Sequence, residues 1–439
     1  MEVWTLSWPV MLSQLLITMV SLVDIGMVGR LGTDEQAAVG YATQFHFLTQ
    51  SIYFAIGFAC VARMSFAIGA REPTRAKKAL CASVALALGS SLVFAGPIAL
   101  FPETLLVGLG ATPQVTQLCA PYLKLMMLSS LLLSVSLMIE SGLRADRDTK
   151  TPMRIAVFVT GLKVALNFLL IFGMWGFPRL ELYGAGLATL ISQMLGLALF
   201  IGVVVRSPIN GPIGIRAKDF RNMSSEFNKV ARIAGPSVIE RVGMNLAIFV
   251  FFIILASYGT VAIAAYTVGI RLLSFSWIPG IGYAQAVATL VGQALGRRDI
   301  EGARKAGWRA ARLAILTALL MAALGALFSS PLAHLFSQDT EMIAILIPFM
   351  LAMCLTQPPL QLHFTLAGAH RGAGDTWTPL VTSLVGTWLL RVLLASIFAE
   401  LGMPIMWIWA AMFSDHLVRA VWMTWAFSRG KWLRKAFAT

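Results

Sequence analysis

The chain has 439 residues, of which 58% are hydrophobic and only 12% are charged. A soluble domain carries roughly 25% charged residues. Together with a mean hydropathy of +0.78, this composition excludes a soluble enzyme, a nucleic-acid-binding domain and a disordered chain. It also disfavours an outer-membrane barrel, whose alternating strands give a much weaker hydropathy signal. The sequence therefore predicts an all-α polytopic membrane protein.

Apolar runs between charged or Pro/Gly breaks predict twelve membrane-spanning helices, since each span needs about 20 apolar residues. In chain order we expect the spans near residues 5–29, 37–62, 80–101, 117–142, 153–177, 183–205, 233–257, 262–290, 310–330, 343–369, 379–399 and 405–427.

The 34 lysines and arginines are distributed unevenly between the two sides of these spans. Twenty-five lie in the C-terminal tail or in connections that follow even-numbered spans, whereas connections after odd-numbered spans contain only Arg30 and Arg179. Cytoplasmic loops carry such an excess of basic residues. The net charge of +14 thus indicates orientation rather than a nucleic-acid partner. We expect a multi-pass protein of the bacterial cytoplasmic (inner) membrane with both termini in the cytoplasm.

The second half of the sequence repeats landmarks of the first half at an offset of 227 residues. Six spans return the chain to its starting side, so two such repeats share one orientation. We predict two six-helix lobes, residues 1–205 and 233–427, related by a pseudo-twofold axis along the membrane normal. A cytoplasmic linker at 206–232 joins them, and a basic cytoplasmic tail occupies 428–439. The aligned landmarks include Pro9 with Pro236, Gly69 with Gly296, Pro121 with Pro348, Arg144 with Arg371, and Asp148 with Asp375.

Three short motifs stand out, one in the first half of the chain and two in the second. The segment Val23–Gly32 fits the pattern V-D-x-x-x-V-G-x-L-G, Val291–Gly296 reads V-G-Q-A-L-G, and Gly368–Thr376 fits G-x-x-R-G-x-G-D-T. Together they resemble the multidrug and toxic compound extrusion (MATE) family over nearly the whole chain.

The resemblance implies a secondary active efflux transporter, not an enzyme, that exchanges H⁺ or Na⁺ for amphipathic or cationic organic compounds by alternating access. It implies no cofactor and no bound metal beyond the coupling ion. The expected partners are small-molecule drugs and membrane lipid, and we expect a monomer.

Charged side chains inside predicted spans are candidates for function, because a charge in the bilayer core is costly. Asp24 lies toward the outer end of the first span, within the first motif. In some members of the family an aspartate of this motif serves cation coupling, so the resemblance implies that Asp24 binds the coupling ion. An interfacial position or a packing hydrogen bond is the alternative.

Glu240 lies four residues after Pro236, at the start of the seventh span. Some family members carry an essential acid eight residues after this proline, where this chain has Met244. Four residues are about one helical turn, so Glu240 could be a second cation-coupling residue in the same cavity. Alternatively, it pairs with Arg241 or caps the helix. The family acid of the tenth span is absent, since Gln357–His363 contains no carboxylate; this disfavours a Na⁺ site built from several acids.

Further polar residues near mid-depth form a candidate cavity network. Arg391 and Asp415 come from neighbouring antiparallel spans, and we expect a buried pair that is either structural or a proton-linked switch. The sequence identifies no carboxylate partner for Lys163, which either snorkels or lines the cavity. The candidate network consists of Lys163, Asn167, Arg391, Asp415, His416, Gln44 and Gln285.

Two Gly-rich cytoplasmic turns share one pattern of charges. Arg144 with Asp148, and Arg371 with Asp375, have the same spacing. We predict that each Arg–Asp pair fixes its turn, so that the four residues act as structural or gating clamps.

Two rival functions use different residues. A lipid-linked oligosaccharide flippase of the same wider superfamily needs cationic groups for a pyrophosphate, and Lys163, Arg271 and Arg391 could supply them. A membrane enzyme is the second rival, but no span contains paired metal ligands or a nucleophile with a base.

Overall fold

The computed structural model describes residues 2–221, 223–336 and 338–433. Within these ranges the chain is nearly all helical and contains no β-strand. Arg434 and Lys435, which contribute to the predicted basic tail, lie outside the described residues. The chain divides into two compact units. The N-terminal unit is Leu12–Ala234, and the C-terminal unit comprises the chain from Gly235 onward together with residues up to Met11.

The first repeat consists mainly of long helices, and the linker contributes one short helix. A single 3₁₀ turn at Met174–Gly176 follows α6. In chain order the helices are α1 (Glu2–Val28), α2 (Thr33–Gly69), α3 (Pro73–Leu100), α4 (Pro102–Gly108), α5 (Pro113–Ala145), α6 (Lys150–Phe172), α7 (Glu181–Arg206) and the short linker helix α8 (Ala217–Phe220).

The helices of the second repeat include two interruptions that the first repeat lacks. A 3₁₀ turn at Ser274–Trp277 separates α10 from α11, and a π-helical segment at Gly386–Leu393 separates α14 from α15. The helices are α9 (Ser224–Ala256), α10 (Thr260–Leu273), α11 (Ile278–Gly296), α12 (Ile300–Phe336), α13 (Thr340–Gly372), α14 (Trp377–Val385), α15 (Leu394–Glu400) and α16 (Met406–Arg429).

The helix bounds reproduce the repeat that the sequence predicts. The helix α2 matches the α10–α11 pair, which spans Thr260–Gly296, at the offset of 227 residues, and α5 matches α13 at the same offset. The break before α11 coincides with Pro279, which lies in the first turn of that helix. A proline is tolerated there because the first turn has no intrahelical partner for its missing N–H.

Eleven helical segments of the described chain are long and apolar enough to cross a membrane. The remaining predicted span corresponds to α16, which has 24 residues. Its length is sufficient, but Asp415, His416 and Arg419 interrupt its apolar sequence. The fold is therefore an all-α, multi-pass membrane architecture, as predicted. Its last span, α16, contains more charged and polar side chains than is usual for a membrane helix.

Two glycines of the third motif allow α13 to approach α11 closely within the C-terminal unit. A Cβ atom added to Gly368 would lie 2.3 Å from the carbonyl oxygen of Ala284, and one added to Gly372 would lie 2.3 Å from that of Ala288. Small residues four positions apart on both helices form this type of membrane packing, in which the backbones themselves touch. The glycines in this part of the motif therefore have a packing role.

Candidate functional site

Asp24 is held by two donors from one helix of the N-terminal unit. The ammonium Nζ of Lys163 lies 2.5 Å from Asp24 Oδ2, and the amide Nδ2 of Asn167 donates to Asp24 Oδ1 at 2.5 Å. Lys163 and Asn167 are one turn apart on α6, so they share a face of that helix. Asp24, near the end of α1, therefore has a partner on each carboxylate oxygen.

The pair is only partly buried. The side chain of Asp24 is 26% exposed and that of Lys163 is 23% exposed, whereas Asn167 is buried. The sequence provided no partner for Lys163, and the structure identifies Asp24. The mutual attraction of the two charges reduces the cost of placing both at membrane depth.

Titratable and polar groups from two other helices surround this pair. His46 on α2 interacts electrostatically with Lys163, and Tyr122 on α5 interacts with Asp24. In the described chain His46 Nδ1 and Asn167 Oδ1 are buried without a hydrogen-bond partner. Gln44, which we predicted in the same network, is exposed on α2. The part of the network in this unit thus centres on Asp24.

Both carboxylate oxygens of Glu240 accept hydrogen bonds within the C-terminal unit. Both of its carboxylate oxygens accept from Arg371 Nη2 at 2.8 Å, and Oε1 also accepts from the hydroxyl of Ser383 at 2.8 Å. Both charged residues are buried. The hydrogen-bonded partner is therefore Arg371 at the end of α13, while the adjacent Arg241 interacts with Glu240 electrostatically. The contact links α9, α13 and α14.

The two Gly-rich turns are fixed by their aspartates. Asp148 Oδ1 accepts the backbone N–H of Thr151, and Asp375 accepts from the N–H and hydroxyl of Thr378. Each aspartate thereby caps the start of the next helix. Asp375 Oδ2 also lies 3.0 Å from Nδ1 of His370, which is fully buried beside it.

The arginines of these turns have partners that we did not predict. Arg144 forms an ion pair with Glu140, one turn earlier on α5, and Arg371 forms the pair with Glu240. These ion pairs join each arginine to a glutamate on a helix, whereas each aspartate bonds to a threonine of its own turn. The physical reason is that an aspartate side chain is short and is already used as a cap, whereas the long arginine side chain reaches a glutamate on a helix.

The predicted pair of Arg391 and Asp415 is present, at 2.8 Å, and it belongs to a larger buried cluster. Arg419, one turn after Asp415 on α16, contacts the same carboxylate at 2.7 Å. His416 lies 2.8 Å from Arg391 Nη2 and 3.2 Å from Arg419 Nη2. Two arginines thus share one aspartate, with a histidine that, when neutral, can accept from only one of them at a time.

The backbone around Arg391 is also unusual. Arg391 lies in the π-helical segment at Gly386–Leu393, and such segments frequently mark functional sites. Gly386, at its start, lies against the side chains of Arg419 and Asp415. Gln285, the remaining predicted network residue, is buried on α11, with its Oε1 lacking a hydrogen-bond partner in the described chain.

A further buried acid lies in the predicted linker and was missed from the sequence. Glu226 at the start of α9 accepts three hydrogen bonds from Arg63 on α2, at 2.8, 3.0 and 3.1 Å, and one from Arg75 on α3 at 3.2 Å. Lys229 lies 3.7 Å away. The available signal was Arg63 itself, a cation beside the second span that has no neighbouring acid in sequence.

The whole chain is similar to known transporters. A sequence model of the MatE family matches residues 9–169 and 236–397. The two matched segments therefore begin at Pro9 and Pro236, the prolines that the repeat aligns. The chain is 25% identical to a probable multidrug resistance protein NorM of Thermotoga maritima, over 100% of this chain and 94% of that protein. It is 28% identical to an FAD transporter of Shewanella oneidensis, over 86% of this chain and 83% of that protein.

Solved structures have the same fold. The MATE transporter VcmN of Vibrio cholerae superposes with a TM-score of 0.91 at 21% identity, over 98% of this chain and 96% of that one. A MOP superfamily transporter from Pyrococcus furiosus gives 0.90 at 22% identity, over 99% and 96%. With the family match in both halves, these findings identify the chain as a member of the MatE family, the multidrug and toxic compound extrusion transporters.

Proposed function

We propose that the protein is a secondary active efflux transporter that exchanges H⁺ or Na⁺ for amphipathic or cationic organic compounds by alternating access. The observation that carries the proposal is the partly exposed carboxylate of Asp24, held by Lys163 and Asn167 within the motif of the first span. The multidrug resistance names of several relatives support the substrate class. We propose further that it acts as a monomer in the bacterial inner membrane with both termini in the cytoplasm.

Asp24 is the better of the two predicted coupling residues. Its side chain is 26% exposed, whereas that of Glu240 is 5% exposed and is bonded to Arg371 and Ser383. A carboxylate that must bind and release an ion in each cycle needs access and a partner that can move. We therefore assign coupling to Asp24 and a structural role to Glu240.

The proposed cycle depends on the charge of Asp24. When Asp24 is ionised, Lys163 and Asn167 bind it and hold α1 to α6. When a proton neutralises the carboxylate, the ion pair is lost and Lys163 becomes free to move on its flexible stem. The contact between α1 and α6 then weakens, which changes the relative free energies of two arrangements of the N-terminal unit. Substrate that binds one arrangement more tightly is thereby coupled to the proton.

The proposal is tested by transport in proteoliposomes with a fluorescent organic cation and with separately imposed pH and Na⁺ gradients. We expect one gradient to drive transport by the wild type and to drive little transport by Asp24→Asn. The matched control is Asp34→Asn, which removes an exposed carboxylate at the start of α2 and should retain transport. If neither gradient drives transport by the wild type, the antiporter proposal is wrong.

A second candidate is the transport of organic anions, including the predicted alternative of a lipid-linked oligosaccharide flippase. Two buried arginines share the single carboxylate of Asp415, so this cluster of the C-terminal unit contains two cations and one anion. One relative is named an FAD transporter, and its named substrate is anionic. Competition assays with a flavin dinucleotide and with a polyprenyl pyrophosphate distinguish this candidate, because either anion should then inhibit dye transport or be transported itself.

A further inference from the structure

Lys163 occupies the position that a metal cation would need in order to bind Asp24. The ammonium Nζ lies 2.5 Å from Oδ2, and the other carboxylate oxygen is bonded to the amide of Asn167. We propose that Lys163 is a tethered cation that replaces Na⁺ at Asp24, so that this site responds to H⁺ and excludes Na⁺. The inference rests on the proposed role of Asp24 and names its coupling ion.

The electrostatic reason concerns the charge of the site before and after ion binding. With Asp24 ionised and Lys163 charged, the pair is neutral. A Na⁺ ion added at either carboxylate oxygen would lie a few ångströms from the ammonium, and like charges at that distance repel strongly in a medium of low dielectric constant.

A proton does not meet this obstacle. It binds to a carboxylate oxygen without additional ligands, and it releases the ammonium instead of competing with it for space. Asn167 Oδ1, one turn away on the same helix, is buried without a hydrogen-bond partner in the described structure. The released Lys163 ammonium therefore has an acceptor within the same face of α6, which lowers the cost of breaking the ion pair.

Two other titratable groups face the pair and must be separated from Asp24 in any test. His46 on α2 interacts with Lys163, and Tyr122 on α5 interacts with Asp24. Tyr122 is buried, and the thiol of Cys119 lies on the same helix one turn earlier. Of these groups the imidazole of His46 titrates nearest to neutral pH in its ordinary state, so His46→Gln is a necessary control for a proton effect.

The inference predicts that Na⁺ binding appears when Lys163 loses its charge. Lys163→Gln keeps a long side chain, removes the ammonium and adds an amide oxygen beside the carboxylate of Asp24. Lys163→Arg keeps the positive charge and is the matched control. The double variant Asp24→Asn with Lys163→Gln removes the carboxylate that the new Na⁺ would need.

The experiment measures the melting temperature of the purified protein in detergent at pH 8, in NaCl and in choline chloride at equal ionic strength. A ligand that binds the folded state raises the melting temperature in a saturable way. We expect a Na⁺-specific rise of at least about 2 °C for Lys163→Gln, and no difference between the salts for the wild type, Lys163→Arg, His46→Gln and the double variant. Lys163→Asn provides a second neutral variant if Lys163→Gln does not fold.

Two results would overturn the inference: a Na⁺-specific rise in the wild type, or folded Lys163→Gln and Lys163→Asn proteins that show no such rise. The outcome is separable from that of the proposed function. If the Na⁺ pattern holds but no gradient drives transport, the efflux proposal fails and the assignment of Lys163 stands. If a Na⁺ gradient drives wild-type transport, the assignment of Lys163 fails and the efflux proposal stands.

Discussion

Glu240 and Arg371 form a buried ion pair at 2.8 Å, although 131 residues separate them. Glu240 lies four residues after Pro236, where the second family match begins, and Arg371 belongs to the third motif. Their contact gives a physical reason for the arginine of that motif, because it fastens the end of α13 to α9 and, through Ser383, to α14.

Removing one member of this pair should destabilise the protein. Breaking a buried ion pair typically costs about 3–5 kcal/mol, because one charge remains buried without a partner. We expect Glu240→Gln and Arg371→Met each to lower the melting temperature, and the double variant to recover part of the loss. If Glu240 instead couples ions, Glu240→Gln will abolish gradient-driven transport while leaving the melting temperature unchanged.

The cluster around Asp415 should respond asymmetrically to substitution. Asp415→Asn leaves Arg391 and Arg419 buried without a carboxylate, whereas Arg391→Met leaves a neutral Asp415–Arg419 pair. We therefore expect Asp415→Asn to lower the melting temperature strongly, and Arg391→Met to lower it little or not at all. Equal losses in the two variants would show that the excess positive charge is compensated by groups outside this cluster.

The linker acid Glu226 should matter far more than its exposed neighbour Glu72, although both bind Arg75. The side chain of Glu226 is 5% exposed and also binds Arg63, whereas that of Glu72 is 49% exposed. We expect Glu226→Gln to cost about 3–5 kcal/mol and Glu72→Gln to cost about 0–1 kcal/mol. Limited proteolysis within residues 206–223 measures the difference, since release of Glu226 should make this segment easier to cleave. Equal cleavage of both variants would contradict the role of Glu226.

The close approach of α13 and α11 should not tolerate a methyl group. Gly368→Ala places a Cβ atom 2.3 Å from the carbonyl oxygen of Ala284, so the two helices must separate. Gly202→Ala on α7 is the matched control, because its Cβ would meet nothing within 4 Å. Helix propensity alone favours alanine by about 1 kcal/mol. We therefore expect a clear loss of thermal stability for Gly368→Ala and no loss for Gly202→Ala.

Much of the fold can be predicted from the sequence, because a helix that crosses a bilayer must be long and apolar. The repeat offset also predicts which turns of the second half correspond to turns of the first half. The helix bounds of α5 and α13, for example, agree with that offset. The π-helical segment around Arg391 could not be predicted, since it depends on how Gly386 packs against Arg419 and Asp415.

The individual site residues were predictable, but several of their partners were not. Asp24 and Lys163 were both identified as charges at membrane depth, but they are 139 residues apart in sequence. Whether they pair depends on how α1 and α6 are each rotated about their axes. Glu226 was missed because it lies in a basic, Pro- and Gly-rich linker that looks exposed in sequence. Arg63 draws it into the N-terminal unit, and only the folded chain brings these side chains together.

The most direct test of the central claim is the movement of protons when substrate is added. Wild-type protein is reconstituted in liposomes that contain a pH-sensitive dye, with membrane potential clamped, and an organic cation is added. We predict a substrate-dependent change of internal pH for the wild type and Asp34→Asn, and none for Asp24→Asn. An equal proton flux through folded Asp24→Asn protein would contradict the assignment of coupling to Asp24.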